Sequence, residues 1–175
     1  MIKIIIGVVI VAFIVIGGFL LLDPKLSNNN SGNVAEVDST NSYSIEGEIS
    51  KEGTYKISGL VTMADLIEAA GGVTSNADNL AYLDTAELTI GDTYYISPKY
   101  DVSDVCNDKP IIKININDDG AEEMTIVTGI TTTVANSIVS YRNENGSFET
   151  LEDLMDVYGI GNATYRKIRN YVTLK

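Results

Sequence analysis

Ile4 to Leu22 is an unbroken run of 19 residues without charge, rich in Ile, Val and Leu. Wound as a helix at about 1.5 Å per residue, a run of this length spans roughly 28 Å, close to a bilayer core of about 30 Å. A cleaved signal peptide has a shorter apolar stretch, about 7–15 residues, ending in small residues. Leu20-Leu21-Leu22-Asp23-Pro24 is a poor cleavage site of that kind. Residues 1–25 are therefore expected to form an uncleaved transmembrane anchor. Lys3 precedes the run, and positive charge favours the cytoplasmic side. The expected location is the cell membrane, single-pass, with the N-terminus cytoplasmic and everything after Leu22 extracellular.

The pattern then changes. Residues 26–42 are polar, small and free of aromatics, which predicts a flexible linker. From Tyr43 apolar and polar positions alternate: Tyr43, Ile45, Gly47 and Ile49 against Ser44, Glu46, Glu48 and Ser50. That is strand periodicity. Lys51-Glu52-Gly53 is a turn, and Thr54 to Ile57 a second strand. Thr62 with Asp65 three residues on marks a helix start, Leu66, Ile67, Ala69 and Ala70 supply its apolar face, and Gly71-Gly72 stops it. Residues 79–83, 87–88 and 93–97 read as further short extended pieces. Hairpin, helix and strands in this order predict a β-grasp domain over 43–100, followed by a linker at 101–110.

Residues 111–175 contain an internal repeat with an offset of 30 residues. Glu122 to Thr131 aligns with Glu152 to Gly161, and Ile138 with Ile168. Each unit reads as an acidic helix start, an apolar pair, a Gly-Ile turn and a second amphipathic helix. Thr131 or Thr132 is placed to cap the second helix of the first unit. Asn162 is placed to cap that of the second. Backbone N–H groups at a helix start lack internal partners and lie at the positive end of the dipole, so an anion fills them. Glycine permits its close approach, and Ile130 or Ile160 anchors the turn. Two such turns would hold two phosphates without regard to base sequence. A Gly-Ile turn can also simply join two packed helices; repetition of the unit favours the phosphate reading.

Charge changes the picture in one respect. The chain has 12 Lys plus Arg against 24 Asp plus Glu, a net −12, which by itself opposes nucleic-acid binding. The acidity is uneven: residues 26–110 carry 4 bases and 14 acids, and residues 111–175 carry 6 and 9. From Val157 to Lys175 there is no acid, and Arg166, Lys167 and Arg169 cluster there. They suit either DNA contact or an ordinary solvated helix face. There is no His and a single Cys, Cys106, so neither a zinc site nor a catalytic histidine is available, and no cofactor or metal is implied. The acids fall at helix starts, where capping explains them. An enzyme is not expected.

Residues 45–49, 52–55, 64–72 and 91–96 resemble the SLBB domain, a β-grasp module of the cell envelope. That resemblance implies binding of polysaccharide, self-association, or association with envelope proteins. As purely structural residues, Gly71-Gly72 and the tyrosines are a helix stop and core aromatics. Residues 111–174 resemble the helix-hairpin-helix domain of the ComEA competence family. The resemblance rests on Lys113 to Asn117, Tyr141 to Phe148, Leu151 to Leu154 and Gly159-Ile160-Gly161. At the first hairpin Thr131 stands where that family has glycine. The expected fold class is thus α+β: an N-terminal transmembrane helix, an SLBB-like β-grasp domain and an all-α tandem helix-hairpin-helix domain. The implied function is a membrane-anchored receptor that binds double-stranded DNA through its phosphates and passes it to an uptake channel in transformation. The implied DNA-binding residues are Gly129, Ile130, Thr131, Thr132, Arg142, Gly159, Ile160, Gly161, Asn162, Arg166, Lys167 and Arg169. The alternative is an envelope scaffold that oligomerises through its acidic middle, with degenerate hairpins.

Overall fold

Strand periodicity is realised in a mixed three-stranded sheet. In the computed structural model, which describes residues 40–101 and 109–175, β1 (Thr40–Gly47) pairs antiparallel with β2 (Gly53–Ser58), placing Tyr43 opposite Tyr55. It pairs parallel with β3 (Thr93–Ile96), placing Ile45 opposite Tyr94, in the order β2-β1-β3. Because β1 begins at Thr40, its first residues fall within the stretch read as linker. Helix α1 (Met63–Ala69) supplies Met63 and Leu66 to a core shared with Tyr43, Ile45 and Ile96. Its start is a reciprocal capping box. The Thr62 N–H donates to Asp65 Oδ2 at 2.8 Å and the Asp65 N–H to Thr62 Oγ1 at 3.4 Å. The Thr62 N–H and the Thr62 hydroxyl, which donates to Asp65 Oδ2 at 2.7 Å, hold the Asp65 carboxyl below its ordinary range.

The C-terminal region has its own core. β4 (Tyr100–Asp101) pairs antiparallel with β5 (Lys109–Pro110), and β6 (Ile114–Asn115) pairs parallel with β7 (Val172–Thr173). Between β6 and β7 lie α2 (Ala121–Met124), α3 (Thr132–Asn145), a 3-10 turn (Glu152–Asp156), α4 (Asn162–Ile168) and a second 3-10 turn (Arg169–Tyr171). Equivalent positions of the two repeats enter one core: Met124 with Leu154, Val127 with Val157, Ile138 with Ile168. Neither hairpin has a separate core, so each depends on the other. Burial of one such aliphatic side chain contributes about 1.5–3 kcal/mol.

The two regions are joined by apolar packing, with Ala81 set in the C-terminal core and Leu83 and Tyr95 against it, and by polar and charged groups. The Lys113 Nζ lies 2.8 Å from Asp78 Oδ2 with both side chains buried, and Arg169 Nη1 lies 2.8 Å from Glu46 Oε1. The Tyr95 N–H donates to Glu152 Oε1 at 2.9 Å, and the Tyr95 hydroxyl to Asn170 Oδ1 at 2.8 Å.

The expected fold class is corrected on these grounds. The described residues form a mixed α/β structure: one three-stranded sheet, two two-stranded sheets and four α-helices. The hairpin region is not all-α. Its lead-in and its tail are both extended, and pair so that their backbone groups are satisfied. In place of the β-grasp domain stands the three-stranded sheet with one short helix. Of residues 79–83, read as extended, 79–81 are turn and bend and 82–83 join no strand, and Glu87 makes only an isolated bridge to Thr62. Asp78 accounts for part of this, its carboxylate accepting the Leu80 N–H at 3.0 Å and holding a turn. No helix among the described residues is long and apolar enough to cross a membrane. The run Ile4 to Leu22 and the lone Cys106 lie outside the described residues.

Candidate nucleic-acid interface

The two Gly-Ile turns share one backbone plan at the offset of the repeat. The Ile130 N–H donates to the Val127 carbonyl and the Ile160 N–H to the Val157 carbonyl, both at 3.0 Å. The Val127 N–H donates to the Met124 carbonyl and the Val157 N–H to the Leu154 carbonyl, both at 3.2 Å. Gly129 and Gly159 both have positive φ, +118° and +93°, which a side chain at either position would strain. Ile130 and Ile160 are each 4% exposed and pin the turn to the core. The next residues, Thr131 and Gly161, are the N-caps of α3 and α4 in the same extended conformation.

The hairpins pack across the repeat. A Cβ added to Gly129 would come within 3.1 Å of Ile168 Cγ2 and of Lys167 Cδ, both on α4. A Cβ on Gly159 would meet Val134 Cγ2, on α3, at 3.5 Å. Each turn therefore lies against the second helix of the other unit. This brings the exposed Lys167 beside the first hairpin, a pairing the sequence alone does not show.

The caps differ. Thr131 Oγ1 accepts the Val134 N–H at 3.3 Å, so the hydroxyl occupies one of the free donors of α3. Gly161 has no side-chain cap, and a Cβ built on it meets nothing within 4 Å. The start of α4 thus presents unoccupied N–H groups to open space at the positive end of its dipole. Asn162 was expected to cap α4; the cap position is Gly161, and Asn162 is the first helical residue. Thr132 is the first residue of α3 and is exposed.

The basic residues divide. Arg142 Nη1 donates to the Ile116 carbonyl at 2.7 Å and fastens α3 to the lead-in strand. Arg169 is taken up by Glu46, with its guanidinium carbon 3.6 Å from the centre of the Tyr95 ring. Both are engaged within the fold. Arg166 and Lys167 are exposed on α4. Arg166 and Asn162 border a polar cleft of about 690 Å³ that Glu87, Asp92 and Asp153 also line, and these acids weaken the positive potential there. The structure thus gathers Gly129, Ile130, Thr131, Thr132 and Lys167 at one hairpin. It gathers Gly159, Ile160, Gly161, Asn162 and Arg166 at the other.

Glu152 is a residue whose importance sequence reasoning missed. It reads as an acidic helix start, the counterpart of exposed Glu122, yet it is 8% exposed. Its Oε1 accepts from the Tyr95 N–H and the Tyr165 hydroxyl, while Oε2 has no hydrogen-bond partner. Burial pushes its pKa up to about 7, against hydrogen bonds that pull it down. Burial and the neighbouring Glu152 also raise the Tyr165 hydroxyl.

A substitution at the first hairpin follows from the caps. Thr131→Gly removes the hydroxyl from the start of α3 and restores an open seat. It is expected to raise DNA affinity a few-fold while lowering stability by only a few tenths of a kcal/mol. Fluorescence anisotropy and urea denaturation measure the two effects.

The helix-hairpin-helix motif family matches residues 109–173. The chain is 31% identical over 161 residues to ComE operon protein 1 of Bacillus subtilis (strain 168), an alignment covering 86% of this chain and 75% of that protein. It is 43% identical over 61 residues to an uncharacterized protein of Haemophilus influenzae, covering 34% of this chain and 54% of that one. It is also 37% identical over 71 residues to the human endonuclease/exonuclease/phosphatase family domain-containing protein 1. That match covers 38% of this chain and 12% of the human protein, so the similarity is confined to a small part of the latter.

Proposed function

The chain belongs to the ComEA-like competence proteins, whose helix-hairpin-helix domain binds DNA, and from this membership we propose that it captures double-stranded DNA at the cell surface by its phosphates, without regard to sequence. DNA binding in competence is the activity of this family, which is of a non-enzymatic kind. The finer reading is supported by one observation above the others. Two turns built on the same hydrogen bonds each present an exposed helix start beside a glycine, and one of them has no side chain in front of it. Backbone donors at a helix start recognise phosphate and carry no base information.

The acidic composition limits the affinity of a single copy. Residues 26–110 repel the duplex, and Arg142 and Arg169 are engaged within the fold. Attachment to the outer face of the cell membrane, for which the uncharged run at residues 4–22 speaks, would place many copies along one long duplex. Several weak contacts then act together. Self-association through the sheet region and delivery of the DNA to an uptake channel complete this reading.

Competition tests it. A labelled duplex of about 20 bp bound to the chain is displaced by unlabelled duplexes of unrelated sequence, and equal displacement is expected. A tenfold preference for one sequence would contradict readout through phosphates alone. Absence of binding at low salt would favour the scaffold alternative.

A further inference from the structure

Tyr158 is the most exposed of the large apolar side chains among the described residues, at 84%. It immediately precedes Gly159-Ile160-Gly161, and in the first hairpin Thr128 occupies the equivalent position. An aromatic ring left in water contributes little to a fold, so packing does not account for this one. Its backbone is held in place, because Val157 on one side is 2% exposed and Ile160 on the other is 4% exposed. Tyr158 and Gly161 are three residues apart, so their Cα atoms lie within about 11 Å of each other.

The surface beside Tyr158 is rich in hydroxyl and amide groups. Tyr158 borders a shallow groove of about 530 Å³ with Thr133, Asn136, Ser137 and Ser140 of α3. Over Thr132 to Asn143 the only charged residue of α3 is Arg142, and its guanidinium donates inward to the Ile116 carbonyl. The groove is lined by these hydroxyls and the Asn136 amide, by the Tyr141 ring, and also by the carboxylates Glu144 and Asp156. Hydroxyls and amides are regular partners of phosphate and sugar oxygens, and an exposed aromatic face stacks on sugars and bases.

We propose that Tyr158 and the strip of Thr133, Asn136 and Ser140 form a second DNA-contact surface. In it the tyrosine ring lies against the sugar face of the duplex next to the phosphate held at Gly161. This rests on the hairpin reading and deepens it, adding a contact through the ring and the hydroxyls. It assigns to α3 a role in binding that its lack of outward cations hides.

The sequence has no tryptophan, so Tyr158→Trp creates a single fluorescent reporter at the contact. Titration of that variant with a duplex of about 20 bp is expected to quench and shift its emission in step with anisotropy of the labelled DNA. Tyr158→Ala is expected to weaken binding about 5–30-fold. The salt dependence should stay unchanged, because no ion pair is removed. The thermal midpoints of both variants should match the parent, since the side chain is exposed. If the tryptophan variant binds with unaltered emission and Tyr158→Ala binds like the parent, this inference falls while the hairpin reading stands. If the parent chain itself binds no duplex, both fall.

Discussion

Gly161→Asp is expected to lower DNA affinity about 10–100-fold without loss of stability. The loss corresponds to one charge-assisted hydrogen-bonded contact of about 1.5–3 kcal/mol. Gly161 sits at φ −102° and ψ 177°, a conformation open to any residue, and a Cβ there meets nothing within 4 Å. Aspartate is a better N-cap than glycine by a few tenths of a kcal/mol, and its charge suits the positive end of the helix dipole. Its carboxylate would accept from the same N–H groups that a phosphate needs and would repel the phosphate as well. Stability and binding should therefore move in opposite directions. A thermal melt and an anisotropy titration on the same sample would show the divergence. Undiminished affinity would mean that the second hairpin is not a phosphate seat.

The second large effect concerns the junction between sheet and hairpins. Glu152 in the folded chain has its pKa pushed up by burial to about 7, against an ordinary value of 4.5. Below pH 4.5 the carboxyl is protonated in both folded and unfolded chains, and it contributes no pH dependence. As pH rises from 4.5 to 7 the unfolded chain releases the proton while the folded chain keeps it. Stability then falls by about 1.4 kcal/mol per pH unit, about 3 kcal/mol in all, and this contribution levels off above pH 7. Glu152→Gln retains an oxygen to accept from the Tyr95 N–H and the Tyr165 hydroxyl but cannot ionise. At pH 8 the variant is expected to be up to about 3 kcal/mol more stable than the parent, and at pH 4.5 nearly equal to it. Urea denaturation across this range measures the difference. Parallel curves for the two proteins would show that Glu152 does not titrate in this window.

The hairpins were legible because a repeat carries its own control. Ile130 and Ile160 are both buried, and the hydrogen bonds around them coincide, because the same local pattern was written twice. What was not legible depends on contacts between distant residues. Glu122 and Glu152 are equivalent in the repeat, yet only Glu152 meets β3, through the Tyr95 N–H. Arg142 and Arg169 read as DNA contacts by charge, but Ile116 and Glu46 claim them from far along the chain. The pairing of β6 with β7 joins residues 114–115 to 172–173, and no local periodicity announces a two-residue strand. Asn162 was read as the cap because Asn favours that position; the turn ends one residue earlier, and glycine holds it.

The central claim is that the hairpins hold phosphate. It is tested most directly by the dependence of DNA affinity on salt, measured with two duplexes of unrelated sequence. Contact with about two to four phosphates predicts that log K falls linearly with log salt concentration at a slope of about −2 to −4, the same for both sequences. Affinity that ignores salt, or slopes that differ between the sequences, would contradict it.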